Sequence, residues 1–335
     1  MNKNNLKLDN FLNRIFNEDV LDFLDKLPEN SIDLVLTDPP YFLDKLDHKW
    51  NANKINEEKE YCKVVTSLPP GMKFDKEQGK QFYEWYLLVS QKIYRILKPG
   101  GFFFSFSSPR LYHRMTSAMD DAGFLIRDML MWMYTQSQPK AMGLDHFIEK
   151  KNLSKKEKEK LLSEMNGWKT PQIKTSFEPI AMAQKPTEGT FLDNFQKYKV
   201  GLINTTIKVG IYKDKFPANT ITTEFMGNVM DKYFLIEKPD KKEKRSYNTH
   251  KTVKPLALCE HLILLTTYDN NSIILDPFSG SGTTLVAAKK CNRFFIGNDI
   301  NTEYIQIALK RLADINTNSS QPNLFSQNEE QRLNL

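Results

Sequence analysis

The chain has 335 residues, 40% of them hydrophobic and 26% charged, with a formal net charge of +6 and a pI near 8.9. This composition suits a globular protein with a full core, in one large domain or two unequal ones, and its basic balance suits a polyanionic partner. Cys62, Cys259 and Cys291 lie too far apart for a disulfide framework or a zinc motif. No apolar run approaches the ~18–20 residues of a membrane span and the first residues are polar. We therefore expect a reduced, cytoplasmic protein with no membrane partner and no metal.

In chain order, residues 11–16 read as a strand, 20–27 as a short amphipathic helix ended by Pro28, and 32–36 as a buried strand. A long polar segment, 43–80, follows Tyr41; loops of that length are usually functional or mobile. Residues 81–97 carry apolar side chains at helical spacing and stop at Lys98-Pro99-Gly100-Gly101. Strand 102–106, helix 111–122 and strand 124–133 continue the alternation, which predicts βαβ units and a mostly parallel sheet. Residues 149–164 form a charge-laced helix, and 175–183 another strand. From 185 to about 245 the pattern turns irregular, with Lys197, Tyr198, Lys199, Lys208, Tyr212, Lys213 and Lys215 interleaved. Such a mixture fits phosphate and base contacts, or equally a solvated loop region. Helix 256–267, strand 272–275, helix 285–290, strand 294–297 and helix 302–312 then restore the rhythm, before an Asn/Ser/Gln-rich tail expected to be disordered.

Two strand ends carry chemistry. The 32–36 strand runs into Asp38-Pro39-Pro40-Tyr41, where two prolines remove backbone donors and fix φ. The result is either a stiff turn with a capping acid, or a clamp of carboxylate, free carbonyls and a ring for a planar amine. The 272–275 strand runs into Asp276-Pro277-Phe278-Ser279-Gly280-Ser281-Gly282-Thr283, and Asp299 follows Asp276 by 23 positions. That spacing is close to the ~20 residues at which an acid meets a ribose in dinucleotide folds. No phosphate-cradling loop accompanies it, so a nucleoside without a pyrophosphate fits, with S-adenosylmethionine the leading candidate. Asp19, at a third strand end, reads as a helix N-cap or as a ligand contact.

The segments NSIDLVLTDPPY, ILKPGGFFFSF, FEPIAMAQKP, THKTVKPLALCEHLI and ILDPFSGSGTTLVAAKKCNRFFIGNDINTEYIQIALKRL occur in that order. Together they resemble the β class of DNA amino-methyltransferases, over residues 11–312. The resemblance implies an α/β, Rossmann-like S-adenosylmethionine-dependent fold that is circularly permuted, with a mostly parallel sheet, helices on both faces and an inserted target-recognition region. It divides the chain into a catalytic half (11–184), a target-recognition insertion (185–250), a cofactor-binding half (251–313) and a tail (314–335).

The resemblance also implies roles. Asp38 and the Pro39 carbonyl would accept the two hydrogens of an exocyclic amino group on a base flipped out of double-stranded DNA, with Pro40 stiffening the turn and Tyr41 stacking on the base. Asp19, Thr252, Lys254, Pro255, Asp276, Phe278, Ser279, Gly280, Gly282, Thr283 and Asp299 would surround the cofactor, with Asp299 on the ribose and Lys254 near the methionine carboxylate. Asn17-Glu18-Asp19 departs from the family's usual Gly-Asp. His250, Ser107 and Ser108 are further candidates. An acid at the first clamp position favours adenine N6 over cytosine N4, where the family usually has Ser. The remaining readings are a cytosine-N4 enzyme, an RNA or protein-glutamine methyltransferase, and a catalytically silent DNA-binding specificity protein. A cognate restriction endonuclease, or an orphan role, and a monomeric or homodimeric state are the expected context.

Overall fold

The computed structural model describes residues 8–41, 76–134, 141–171, 173, 175–207, 218–222, 234–235, 239, 243, 246–248 and 253–315. The strands are β1 (Arg14–Phe16), β2 (Ile32–Thr37), β3 (Leu97–Phe106), β4 (Leu125–Met133), β5 (Phe177–Gln184), β6 (Thr220–Thr222), β7 (Phe234–Leu235), β8 (Ile273–Asp276) and β9 (Phe294–Asn298). The helices are α1 (Val20–Lys26), α2 (Lys76–Ile96), α3 (Tyr112–Asp121), α4 (Asp145–Glu149), α5 (Lys155–Glu164), α6 (Phe191–Tyr198), α7 (Leu256–Thr266), α8 (Thr283–Lys290) and α9 (Thr302–Ala313). No described helix is long and apolar enough to cross a membrane.

All nine strands join one sheet in the order β1-β9-β8-β2-β3-β5-β4-β6-β7. Only β5 runs against its neighbours, β3 and β4; every other pairing is parallel. Central strands covered on both faces are largely apolar, and β2 is buried from end to end, its Asp33 and Thr37 satisfied by hydrogen bonds. Alternation then divides them. Leu34, Leu36, Phe102, Phe104 and Phe106 pack with α7 and α8 on one face. Val35, Phe103, Ala181 and Ala183 pack with α1, α2 and α3 on the other.

The chain enters the sheet at β1, builds β2 onward, and returns at its end to supply β8 and β9. Because β8 connects outward to β9 while β2 connects outward to β3, the connections diverge between these two neighbours. In open α/β sheets a crevice opens at that point, beyond the strands' carboxyl ends. Asp38-Pro39-Pro40-Tyr41 and the 276–283 turn both lie there. The antiparallel β5 brings its first residues, Phe177 and Glu178, to the same rim.

Several elements differ from the sequence reading. The Lys98-Pro99-Gly100-Gly101 segment does not separate α2 from β3; it lies inside β3 as an irregularity between the pairs Ile32–Leu97 and Leu34–Phe102. Gly100 there has φ +81°, and a Cβ would fall 2.4 Å from the Asn194 amide. Of the expected 149–164 helix only 155–164 forms, as α5, because Ser154 opens it with a capping box to Glu157; the short α4 ends where the expected helix began. The region read as irregular after 185 contains α6, opened by a Thr190–Asp193 capping box, and adds β6 and β7 to the sheet edge. Asn194 ties α6 to the body, donating to the carbonyls of Pro99 (3.0 Å) and Val200 (3.1 Å). The expected tail from 316, Thr252, His250, Lys208, Tyr212, Lys213, Lys215 and the 43–75 stretch lie outside the described residues.

Candidate active site

At the end of β2, Thr37 is buried and donates its hydroxyl to Asp276 Oδ1 at 2.6 Å, which binds the two strand ends across the crevice. Asp38 follows. Its Oδ1 accepts the Tyr41 hydroxyl, and its Oδ2 accepts a hydrogen bond from Lys254 Nζ. Each carboxylate oxygen has two lone pairs, so both retain acceptor capacity for an incoming amino group. Burial first, and then the nearby Asp38 and Glu178 charges, push the Tyr41 phenol well above its ordinary value; it stays a donor throughout the working pH range.

Lys254 is buried where the chain enters α7, a helix that Pro255 N-caps. Burial works against its charge, but Asp38 and Glu178 outweigh that and raise its pKa above the ordinary lysine value. Its Nζ is 3.4 Å from Glu178 Oε2 and 5.1 Å from the Phe106 ring centroid. The lysine therefore sits on the clamp acid, where sequence reasoning had put it beside the cofactor's carboxylate. Glu178, on β5, was missed. Its only signal was its place in the FEPIAMAQKP segment, and it reaches the rim because β5 runs backwards. Ser107 and Ser108 lie at the end of β3 on this rim, and the Ser108 hydroxyl is buried without a hydrogen bond.

Across the crevice, burial raises the Asp276 carboxyl from its ordinary range to about 7, partly offset by the Thr37 and Thr284 hydroxyls and the Phe278 N–H. Phe278 packs against Trp85 of α2, with ring centroids 5.5 Å apart. Asp299, just after β9, accepts the Gly280 N–H through Oδ2 and the Asn301 N–H through Oδ1, each at 2.8 Å. Asp19 does cap α1, accepting the Leu21 N–H at 2.8 Å. It is held beside β9 because the Glu18 backbone exchanges two 3.2 Å hydrogen bonds with the Asn298 side chain.

The glycine-bearing turn divides its work. Gly282 adopts φ +80°, and a Cβ there would lie 2.7 Å from that of Ala308, so this glycine serves the packing of α9. Thr283 Oγ1 accepts from the buried Arg311, which also donates to the Ser281 carbonyl. Gly282 and Thr283 thus face α9, whereas Asp276, Phe278, Ser279, Gly280 and Asp299 remain with the crevice. The Ser279 hydroxyl is buried with no hydrogen-bond partner among the described residues. A buried polar atom left open costs about 1–3 kcal/mol, which is what a turn shaped for a polar ligand leaves. The donor and acceptor set fits S-adenosylmethionine: acids for hydroxyls and an ammonium, and an apolar wall at Phe278 and Trp85.

The sheet, with one reversed strand and a crevice between β8 and β2, defines an S-adenosylmethionine-dependent methyltransferase fold. The chain belongs to the DNA methylase family, whose model matches residues 32–310. It is 30% identical over 315 residues to the type II methyltransferase M.HindIII of Haemophilus influenzae, covering 89% of this chain and 94% of that one. Among solved structures, the M1.HpyAVI complex with S-adenosylmethionine aligns with a TM-score of 0.51 at 19% identity, over 89% of this chain and 98% of that one. The PvuII DNA methyltransferase, described as cytosine-N4-specific, aligns at 0.53 and 15% identity, over 92% and 89%. The protein is a DNA methyltransferase that uses S-adenosylmethionine.

Proposed function

We propose that the protein methylates adenine N6 in double-stranded DNA at a specific sequence, on a base flipped into the Asp38-Pro39-Pro40-Tyr41 clamp. The observation that carries this reading is the acid at position 38, whose two oxygens are oriented by Tyr41 and Lys254. An exocyclic amine is a poor nucleophile because its lone pair delocalises into the ring. Asp38 and the Pro39 carbonyl accept its two hydrogens, favour a tetrahedral nitrogen and so localise the lone pair. Hydrogen bonds to charge that develops during transfer help the transition state more than the ground state. Pro40 holds the turn stiff, and Tyr41 offers its ring to the flipped base, an interaction worth about 1–3 kcal/mol.

When bound, S-adenosylmethionine supplies a methyl group on a sulfonium. On the chain's side, Asp38 would accept the surplus proton of the amino nitrogen, directly or on its way to solvent. Asp299 would hold the ribose, Asp276 would accept the methionine ammonium, and Phe278, Ser279 and Gly280 would line the moiety between them. Asp19, Thr252 and Pro255 are the further cofactor contacts that the family resemblance implies. Lys254 serves the clamp, lying between Asp38 and Glu178 and holding Asp38 in position. The 185–250 insertion reads the DNA sequence, in a type II modification system with a cognate endonuclease or as an orphan enzyme.

Asp38→Ala tests the clamp. Tritiated methyl transfer to DNA should fall by about 10²–10³-fold or more, while cofactor affinity measured calorimetrically stays within a few-fold. Full transfer activity in that variant would end the clamp model.

A further inference from the structure

β4 and β5 are antiparallel neighbours, and their register closes at Met133 opposite Phe177. Two residues suffice to join such a pair. Residues 134–176 stand there instead, on the rim that carries Asp38, Lys254 and Glu178. The Tyr134 N–H donates to the Ser176 carbonyl at 2.8 Å. Further out, an isolated antiparallel bridge joins Gly143 and Lys169, and the Thr170 N–H donates to the Met142 carbonyl at 2.9 Å. These contacts bring the two ends of the insertion together at two levels, with α4 and α5 between them, so that the insertion forms an arm.

The arm contributes little to the core. No residue of α5 is buried, and α4 buries only Ile148. The helix that stands in solvent is nevertheless well made, with a complete Ser154–Glu157 capping box. A long insertion that neither closes a turn nor fills a core is usually functional. Its charge indicates for what. Residues 134–176 hold nine lysines against five acids, most of the chain's net charge of +6. Lys150, Lys151 and Lys156 are exposed and have no ion pair among the described residues. On the same insertion, next to Lys169 of the outer bridge, Trp168 is 70% exposed. Exposed lysines and an exposed ring on one insertion offer groups complementary to a nucleic-acid backbone and its bases.

We propose that this arm is a second DNA grip, separate from the 185–250 insertion: Lys150, Lys151 and Lys156 bind phosphates of the duplex flanking the flipped base, and Trp168 packs against a sugar or base in the same footprint. The proposal rests on the DNA-methyltransferase reading of the rim. The arm carries affinity and orientation, since phosphate contacts position a protein without reading sequence.

The test uses the full-length protein and a mixed-sequence duplex of about 30 base pairs, titrated across a range of salt concentrations. In the triple variant Lys150→Gln/Lys151→Gln/Lys156→Gln, the slope of log affinity against log salt should become shallower by about 2.7, and affinity near 0.1 M salt should fall by about 10–100-fold. Trp168→Ala should weaken binding by about fivefold or more with the slope unchanged. S-adenosylmethionine affinity should match wild type in both, showing that they are folded. Wild-type affinity and slope in the triple variant would overturn the phosphate grip, and wild-type affinity in Trp168→Ala would remove that ring from the footprint. A variant that changes oligomeric state by sedimentation while its DNA binding is unaltered would make the arm a protein contact instead. A wild-type enzyme that neither binds nor methylates DNA would overturn the reading of the rim itself, a different failure from that of the arm.

Discussion

At neutral pH the Asp276 carboxyl, raised to about 7 by burial, is close to half protonated in the free enzyme. A cationic ammonium placed against it favours the ionised form and lowers that value. Cofactor binding must then expel a proton below pH 7, so affinity rises with pH through that value and levels off above it. S-adenosylmethionine should bind about tenfold more weakly at pH 6 than at pH 8, and Asp276→Asn should flatten the profile; calorimetry at several pH values measures both. Neither the raised value nor its cause is legible in the sequence. The Thr37–Asp276 hydrogen bond spans a separation of 239 residues, and no periodicity reports which strands become neighbours. The residue types at the strand ends were legible, because acid, proline and glycine at such places have few structural uses. The partner of Lys254 was not, because a lysine's long stem can reach either side of the crevice.

The helices and turns show a similar division. Long helices and buried strands were evident from apolar spacing, since their burial demands it. α6 was hidden because only eight residues carry its pattern, and its single buried residue is the polar Asn194, held by hydrogen bonds rather than apolar contact. The Thr190-x-x-Asp193 spacing was the one available sign of it. The turn before α8 was legible as glycine-rich, but its two glycines separate by task only in three dimensions. Gly282→Ala should destabilise the protein by about 2–4 kcal/mol, from a left-handed backbone and a collision with Ala308; urea unfolding measures this. Adding Ala308→Gly should recover the part owed to the collision and leave the backbone part, a non-additivity that a merely flexible turn would not show.

Across the whole molecule, the permuted order explains how residues near both ends of the chain share one site. β8 and β9 come late in sequence yet stand between β1 and β2 in the sheet, so Asp19, Asp38, Asp276 and Asp299 open onto one rim. The reversed β5 adds Glu178 to it, and its connection from β4 adds the basic arm. The alternation of strands and helices announced an α/β sheet, whereas the reversal of β5 and the attachment of β6 and β7 at the edge depend on pairings that short runs do not specify. The sheet does not choose the base: PvuII DNA methyltransferase, described as cytosine-N4-specific, has a comparable fold. Under the proposed function, that choice belongs to the clamp and the acid at its head. Digesting DNA methylated by the purified enzyme to nucleosides, and separating them by mass, therefore tests the central claim most directly. N6-methyladenine should appear without N4-methylcytosine; N4-methylcytosine without N6-methyladenine would contradict the account.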